Sequence, residues 1–414
     1  MSRPAPAIPP FKAVAAALRK TTEHLARELT EPTHAPPPWS EFEWAIARSV
    51  SAMQGISTLL ANRLLWSGPQ QWQSFLTEQR AQSLLRHASI GTLLERLDAA
   101  TRDARIPCVA LKGAALRALG LFRPGERPMG DIDLLVRMND IEPIDAVMRA
   151  FDYVKAYDTR RHVVYERRSK PPPRGFGEHV ENAINIEIHT VVAEPLPVRN
   201  VDVTSRLWPL RAEPGLNPYA SLAALMLHLL LHAAGNMRAH ALRQTQLHDI
   251  ATLSARFHAA DWNTLLGKPR DSDALWWAYP PLALTARYYV GCVPREVLLE
   301  LRAQCPRALR FSADRRTLTD VSWSNLRVYA FPGIAWSRTA LDALRFIYSR
   351  VFPSRIALAE LRTFRQAQPQ LDQVSWYGLS HKHRILRWVF SRPPRVQTIV
   401  SVRAALEHTG QAIH

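Results

Sequence analysis

Cysteine is scarce: Cys108, Cys292 and Cys305 are the only three in 414 residues, and no CxxC pair occurs. That excludes a disulfide scaffold and the thiolate zinc modules. An odd thiol count, with one cysteine inside an apolar run, fits a reducing cytosol. Lysine is nearly as rare. Seven of the 53 basic residues are lysines and the other 46 arginines, so the net charge of +17 is carried mainly by guanidinium groups. Nowhere do 18 consecutive apolar residues occur, so no transmembrane helix is expected. The N-terminal segment lacks the sustained apolar run and cleavage site of a signal peptide, and the chain is expected in the cytoplasm. No P-loop, internal repeat, Ser/His/Asp or Cys/His arrangement stands out.

What is present is an ordinary globular balance, 47% apolar and 21% charged, in a chain long enough for more than one core. The basic excess attracts polyanions. Because the arginines are spread along the chain, a generally basic surface is an equal reading. Residues 11–29 read as a helix, Thr30–Pro38 as a proline linker, and Trp39–Arg105 as helical again. There Leu93, Leu94 and Leu97 recur at helical spacing behind Ser89 as N-cap. At Ile106 the pattern changes. IPCVAL reads as a strand, AALRALGLF as a helix, DIDLLVRM as a strand and IEPIDAVMRAF as a helix. HVVYERR and AINIEIHTVV are two further strands, separated by the loop SKPPPRGFGEH. From Pro218 on the chain is helical, with SLAALMLHLLLHAAGNM a buried core helix too short to span a bilayer. TALDALRFIYSRVF and ALAELRTFRQA are helical too, and a basic tail begins at His381. The units read as 1–38, 39–105, an α/β core over 106–200, and a helical domain over 218–414.

Gly130-Asp131-Ile132-Asp133-Leu134 is the most informative stretch. Residues i and i+2 of a strand share a face, so Asp131 and Asp133 project together from a segment that is otherwise buried. Adjacent carboxylates raise each other's pKa unless a cation lies between them, and oxygen ligands at this spacing suit Mg²⁺ or Mn²⁺. Upstream, Lys112-Gly113-Ala114 joins a strand to a helix, where backbone amides can approach a phosphate and Lys112 adds a point charge. Downstream, Ile186-Glu187-Ile188-His189 sets one acid inside an apolar strand, a candidate third carboxylate.

Together, LKGAAL, RPMGDIDLLV and INIEIH resemble the DNA-polymerase-beta-like nucleotidyltransferase superfamily and, more narrowly, a bacterial family of uncharacterised nucleotidyltransferases. The close match spans about Ile106–Val192. The resemblance implies an α+β fold: a palm with a mixed sheet and flanking helices, framed by N-terminal helices and a large helical C-terminal domain. It implies that Asp131, Asp133 and Glu187 hold two Mg²⁺ (or Mn²⁺) ions against a nucleoside triphosphate for in-line displacement. The Gly113 turn, with the Ala114 amide, Lys112 and Arg127, would hold the β- and γ-phosphates. Ala114 departs from the superfamily's frequent Ser or Gly, which removes a hydroxyl but keeps the amide. The acceptor that the resemblance implies is a hydroxyl or phosphate, with small molecule, peptide and protein all open. A nucleotide-sugar transferase on the same ions is an alternative. So is a non-catalytic nucleic-acid-binding protein, which the charge supports and the absence of an aromatic-basic RNA motif opposes.

Other residues have plainer readings. His228 and His232 lie four apart on an apolar helix without an evident third ligand, and are expected as buried, hydrogen-bonded histidines. His248 and Asp249 are expected to be structural or base-facing. His189 is expected on the opposite strand face from Glu187. Trp262, Trp276, Trp277, Trp323, Trp336 and Trp376 are expected to fill the core, with base stacking as the alternative.

Overall fold

The computed structural model of the chain describes residues 9–158, 162–169, 176–267, 274–355, 357–359, 379–391 and 393–411. It opens on helices α1 (Phe11–Glu28), α2 (Glu41–Met53), α3 (Ser57–Arg63) and α4 (Gln70–Asp103). Ser40 starts α2 through a capping box: its hydroxyl accepts from the Glu43 amide while its own amide donates to the Glu43 carboxylate. Two amides that a helix start leaves open are thereby satisfied. Helix α4 is 34 residues long, about 50 Å, and runs straight through Ser89. The expected N-cap is therefore corrected. Ser89 Oγ donates to the Leu85 carbonyl at 3.1 Å, which is how a hydroxyl inside a helix is satisfied.

Next come β1 (Pro107–Ala110), α5 (Lys112–Ala118), β2 (Asp131–Leu135), α6 (Ile141–Ala150), β3 (Tyr153–Asp158), β4 (His162–Arg167) and β5 (Asn185–His189). After them come a separate hairpin, β6 (Ala193–Leu196) with β7 (Arg199–Asp202), and the short β8 (Gly215–Asn217). The main sheet has the order β3-β4-β5-β2-β1-β8. In it β2 runs parallel to β5 and antiparallel to β1. The expected mixed sheet with flanking helices is what the chain forms. Strands β3, β6, β7 and β8 were not legible. They are three to six residues long and carry such residues as Lys155, Glu194, Arg199 and Asn217 in place of an apolar alternation, so their pairing comes from neighbours and not from local pattern.

Packing fixes the sheet's register. Ile132, Leu134 and Val136 of the β2 segment join Ile186 and Ile188 of β5 in a core that also holds Leu97 of α4 and Ile144 and Met148 of α6. Val109 and Leu135 turn to the opposite face and join the core built around α8 (Leu222–Ala239). Burying each such aliphatic is worth about 1.5–3 kcal/mol. A slip of one residue would drive Asp131 and Asp133 into the apolar side, so the hydrophobic set aims the acids towards α8.

Between β7 and α8 lies the single turn α7 (Thr204–Leu207). Ser221 caps α8, accepting from the Ala224 amide at 3.1 Å. There follow α9 (Gln244–Ser254), α10 (Ala259–Leu266), α11 (Tyr279–Tyr288) and further helices, several of them shorter. ALAELRTFRQA and Trp376 fall mostly or wholly outside the described residues. The C-terminal helix Val396–Gln411 returns to the N-terminal bundle, where Val402 enters its core and Arg48 Nη2 donates to the Ala405 carbonyl at 3.2 Å.

Candidate functional site

The register of β2 against β5 pairs Asp133 directly with Glu187. Ligand oxygens of Asp131, Asp133 and Glu187 all lie within 4.8 Å of one another. Their cleft, about 340 Å³, is lined also by Lys112, Gly113, Arg127 and Arg243. Three converging hard oxygen donors beside an open cleft fit a divalent cation of the Mg²⁺ or Mn²⁺ class.

Lys112 is already inserted among the acids. Its Nζ lies 2.7 Å from Asp133 Oδ1. Burial alone would lower its pKa, but the charges of Asp133, Asp131 and Glu187 outweigh that and raise it. Lys112 itself sits in the left-handed region at φ 45°, an uncommon conformation for a side-chain-bearing residue. Its turn is held from both sides: the Leu111 amide donates to the Asp133 carbonyl at 2.9 Å and the Lys112 amide to the Tyr219 hydroxyl at 3.1 Å.

The two aspartates are unlike each other. Asp131 is reached by solvent at the cleft mouth but crowded by protein, and burial, then the charge of Asp133, raises its pKa well above the usual carboxylate range. Asp133 is buried. Burial pushes it up, but Lys112 and the hydrogen bond from His189 prevail and hold it far below that range.

His189 requires a correction. Two residues apart in a strand means the same face, and His189 shares that of Glu187. Its Nε2 donates to Asp133 Oδ1 at 3.0 Å and lies 3.6 Å from Glu187 Oε2. Burial lowers its pKa, and the hydrogen bonds to Asp133 and Glu187 more than offset that. The period-two rule that placed Asp131 beside Asp133 was enough to find it.

Arg127 meets the helical region. Its Nε and Nη2 each lie 2.7 Å from a carboxylate oxygen of Asp249 on α9, a bidentate pair with both side chains nearly enclosed. Burial pushes the Asp249 carboxyl up, and Arg127 only partly offsets it. A Cβ on Gly113 would stand 2.6 Å from Arg127 Nη1, so glycine is what lets the guanidinium close over the turn. Ala114 stands apart from the acids. It is buried, its amide donates to the Leu111 carbonyl at 3.1 Å, and it lines a different cavity behind α5. Arg86 of α4, also buried, donates to the carbonyls of Met129 and Asn182 at 3.0 and 2.5 Å, tying the segments that lead into β2 and β5.

Both His228 and His232 are hydrogen-bonded, as expected, but only His228 is buried and His232 is half-buried: the Tyr219 hydroxyl pairs with His228 Nδ1 at 2.7 Å, and Asn236 Nδ2 lies 3.2 Å from His232 Nε2. Burial lowers both pKa values, that of His232 to about 3. Trp262, Trp276, Trp277 and Trp336 fill the core, whereas half-buried Trp323 borders the acid-lined cleft. Arg243 was missed because it lies in no motif, and Trp323 was expected in the core with base stacking only as the alternative. Only the tertiary fold brings them to the cleft.

The mixed sheet presents three acids of two neighbouring strands to one cleft, an arrangement consistent with a nucleotidyltransferase core. The chain belongs to the uncharacterised nucleotidyltransferase family, whose family model matches residues 40–289. That span exceeds the Ile106–Val192 segment and takes in the chain from Ser40 through α11. No curated protein and no solved structure matches the chain. Among the described residues, no helix is long and apolar enough to cross a membrane.

Proposed function

We propose that the protein is an Mg²⁺-dependent nucleotidyltransferase that moves a nucleotidyl group from a nucleoside triphosphate to a hydroxyl or phosphate oxygen of a small molecule, peptide or protein. The observation that carries this reading is the convergence of Asp131, Asp133 and Glu187 beside the Lys112–Gly113 turn. The acceptor oxygen bonds to the α-phosphorus, the bond from that phosphorus to the β-phosphate oxygen breaks, and pyrophosphate departs. For a hydroxyl acceptor, Glu187, which faces the cleft and an adjoining cavity, takes the proton.

Asp131, Asp133 and Glu187 would hold the ion, which when bound supplies charge neutralisation for the triphosphate and acidifies the attacking hydroxyl. Three carboxylates against the Lys112 ammonium leave two negative charges, before the positive charge that protonated His189 adds. A second ion would arrive with the charge of the triphosphate. Arg243, on the cleft wall, adds attraction for phosphate. The Arg127–Asp249 pair packs over the Gly113 turn and fixes its position beside the cleft.

The test is label transfer. Incubation with α-labelled triphosphates and extracted small molecules and proteins should yield a labelled acceptor that needs Mg²⁺ and disappears with Asp131→Asn. Transfer of γ-label without α-label would mean phosphoryl transfer and overturn the reading.

A further inference from the structure

Across the sheet, β4 pairs with β5 so that His162 lies directly opposite His189. Their rings are 5.0 Å apart. The Nε2 atoms of His162 and His189 lie 3.9 and 3.6 Å from Glu187 Oε2, and the three ligand atoms fall within 4.8 Å of one another. This group faces a cavity of about 200 Å³ on the far side of Glu187 from Asp131, and its walls also carry His228 and His232. The nucleotidyl-transfer reading gives His162 no role.

We propose that His162, Glu187 and His189 form a second metal site, selective for a first-row transition ion of the Zn²⁺ class, with a fourth position open to the cavity. Donor chemistry separates the two sites. Three carboxylates suit a hard cation that keeps its waters, whereas two imidazoles and one carboxylate suit Zn²⁺, Co²⁺ or Ni²⁺. Ligands about 2.0–2.2 Å from a tetrahedral ion stand roughly 3.4 Å from one another, so the separations to Glu187 require shifts of only a few tenths of an ångström. Three protein ligands with one open position is the arrangement of ions that bind water or substrate rather than of closed structural sites.

Filling the site costs the hydrogen bond from His189 Nε2 to Asp133, while Asp133 keeps Lys112 at 2.7 Å. Because Glu187 belongs to both groups, the two sites are coupled, and an ion on the histidine side will change how the carboxylate side binds Mg²⁺. This inference is independent of nucleotidyl transfer. The histidine site can exist whether or not a triphosphate binds.

Co²⁺ titration of the full-length chelator-stripped protein tests it, read by visible absorption and by metal content after gel filtration. The wild type should bind one Co²⁺ with the intense bands of four- or five-coordinate cobalt, and Zn²⁺ should displace it. His162→Gln should weaken Co²⁺ at least tenfold while keeping the wild-type circular dichroism spectrum and Tm. Asp131→Asn should keep the cobalt bands. Absence of such bands in the folded wild type, or bands unchanged in both His162→Gln and His189→Gln, would overturn the proposal. So would bands lost in Asp131→Asn and retained in His162→Gln, which would place the ion among the aspartates.

Discussion

Replacing Asp249 with leucine removes the carboxylate partner of a largely buried guanidinium at the cleft wall. Side-chain exposure is 14% for Arg127 and 3% for Asp249, and both contacts of the pair measure 2.7 Å. Breaking such a pair from one side leaves a buried charge uncompensated and costs about 3–5 kcal/mol. Each kcal/mol lowers Tm by about 2–4 °C in a cooperative unit of 150–250 residues, so Asp249→Leu should melt about 6–20 °C below wild type. Removing both charges is different, because replacing a buried pair by apolar residues is often neutral. Arg127→Met/Asp249→Leu should therefore recover most of the loss. Scanning fluorimetry or calorimetry of the wild type, both single variants and the double variant yields the coupling directly. Additive single effects, or a drop below about 1 kcal/mol in Asp249→Leu, would refute the claim that a desolvated ion pair joins the loop before β2 to α9. The double variant also separates stability from positioning. With Gly113 no longer covered by the guanidinium, it should bind nucleotide more weakly even when its Tm is restored.

Gly113→Ala puts a methyl 2.6 Å from Arg127 Nη1 and 3.2 Å from Met129 Cγ. Overpacking of this kind costs about 1–3 kcal/mol, and calorimetry should show weaker triphosphate binding; unchanged Tm and affinity would contradict the fit. Lys112→Met removes a cation 2.7 Å from Asp133, and lifting that like-charge repulsion should tighten Mn²⁺ binding in the absence of nucleotide by about tenfold or more, measurable by electron paramagnetic resonance; weaker binding would show that Lys112 does not compete with the ion. The pKa of Asp131 is raised, by burial first and then by the charge of Asp133. Its protonated, non-binding form therefore persists to higher pH than in an ordinary aspartate near 4. Mg²⁺ affinity should accordingly fall on acidification while still above the ordinary carboxylate range, and a titration flat down to that range would contradict it.

The site was legible where strand periodicity and motif coincide. Asp131 and Asp133 on alternate residues of an apolar strand, and Glu187 between two isoleucines, project from one face because their neighbours must be buried. Applied once more to Glu187 and His189, the same rule would have brought His189 to the site. Ser89 misled because a capping residue and a mid-helix serine look alike until the preceding turn is known to be helical. Strand β8 and the β6–β7 hairpin carry no local signal, and Arg243, Trp323 and His162 reach their cavities only through pairing and packing of distant segments. The partner of Arg127, Asp249, lies 122 residues away, which no local pattern encodes.

The central claim is that the carboxylate cleft binds a nucleoside triphosphate with a divalent ion. Calorimetric titration of each triphosphate with Mg²⁺, on wild type and on Asp131→Asn checked for folding by circular dichroism, tests it most directly. The account predicts binding of at least one triphosphate that depends on Mg²⁺ and is lost in the variant. No binding to any triphosphate by folded wild type, or equal binding in Asp131→Asn, would contradict it.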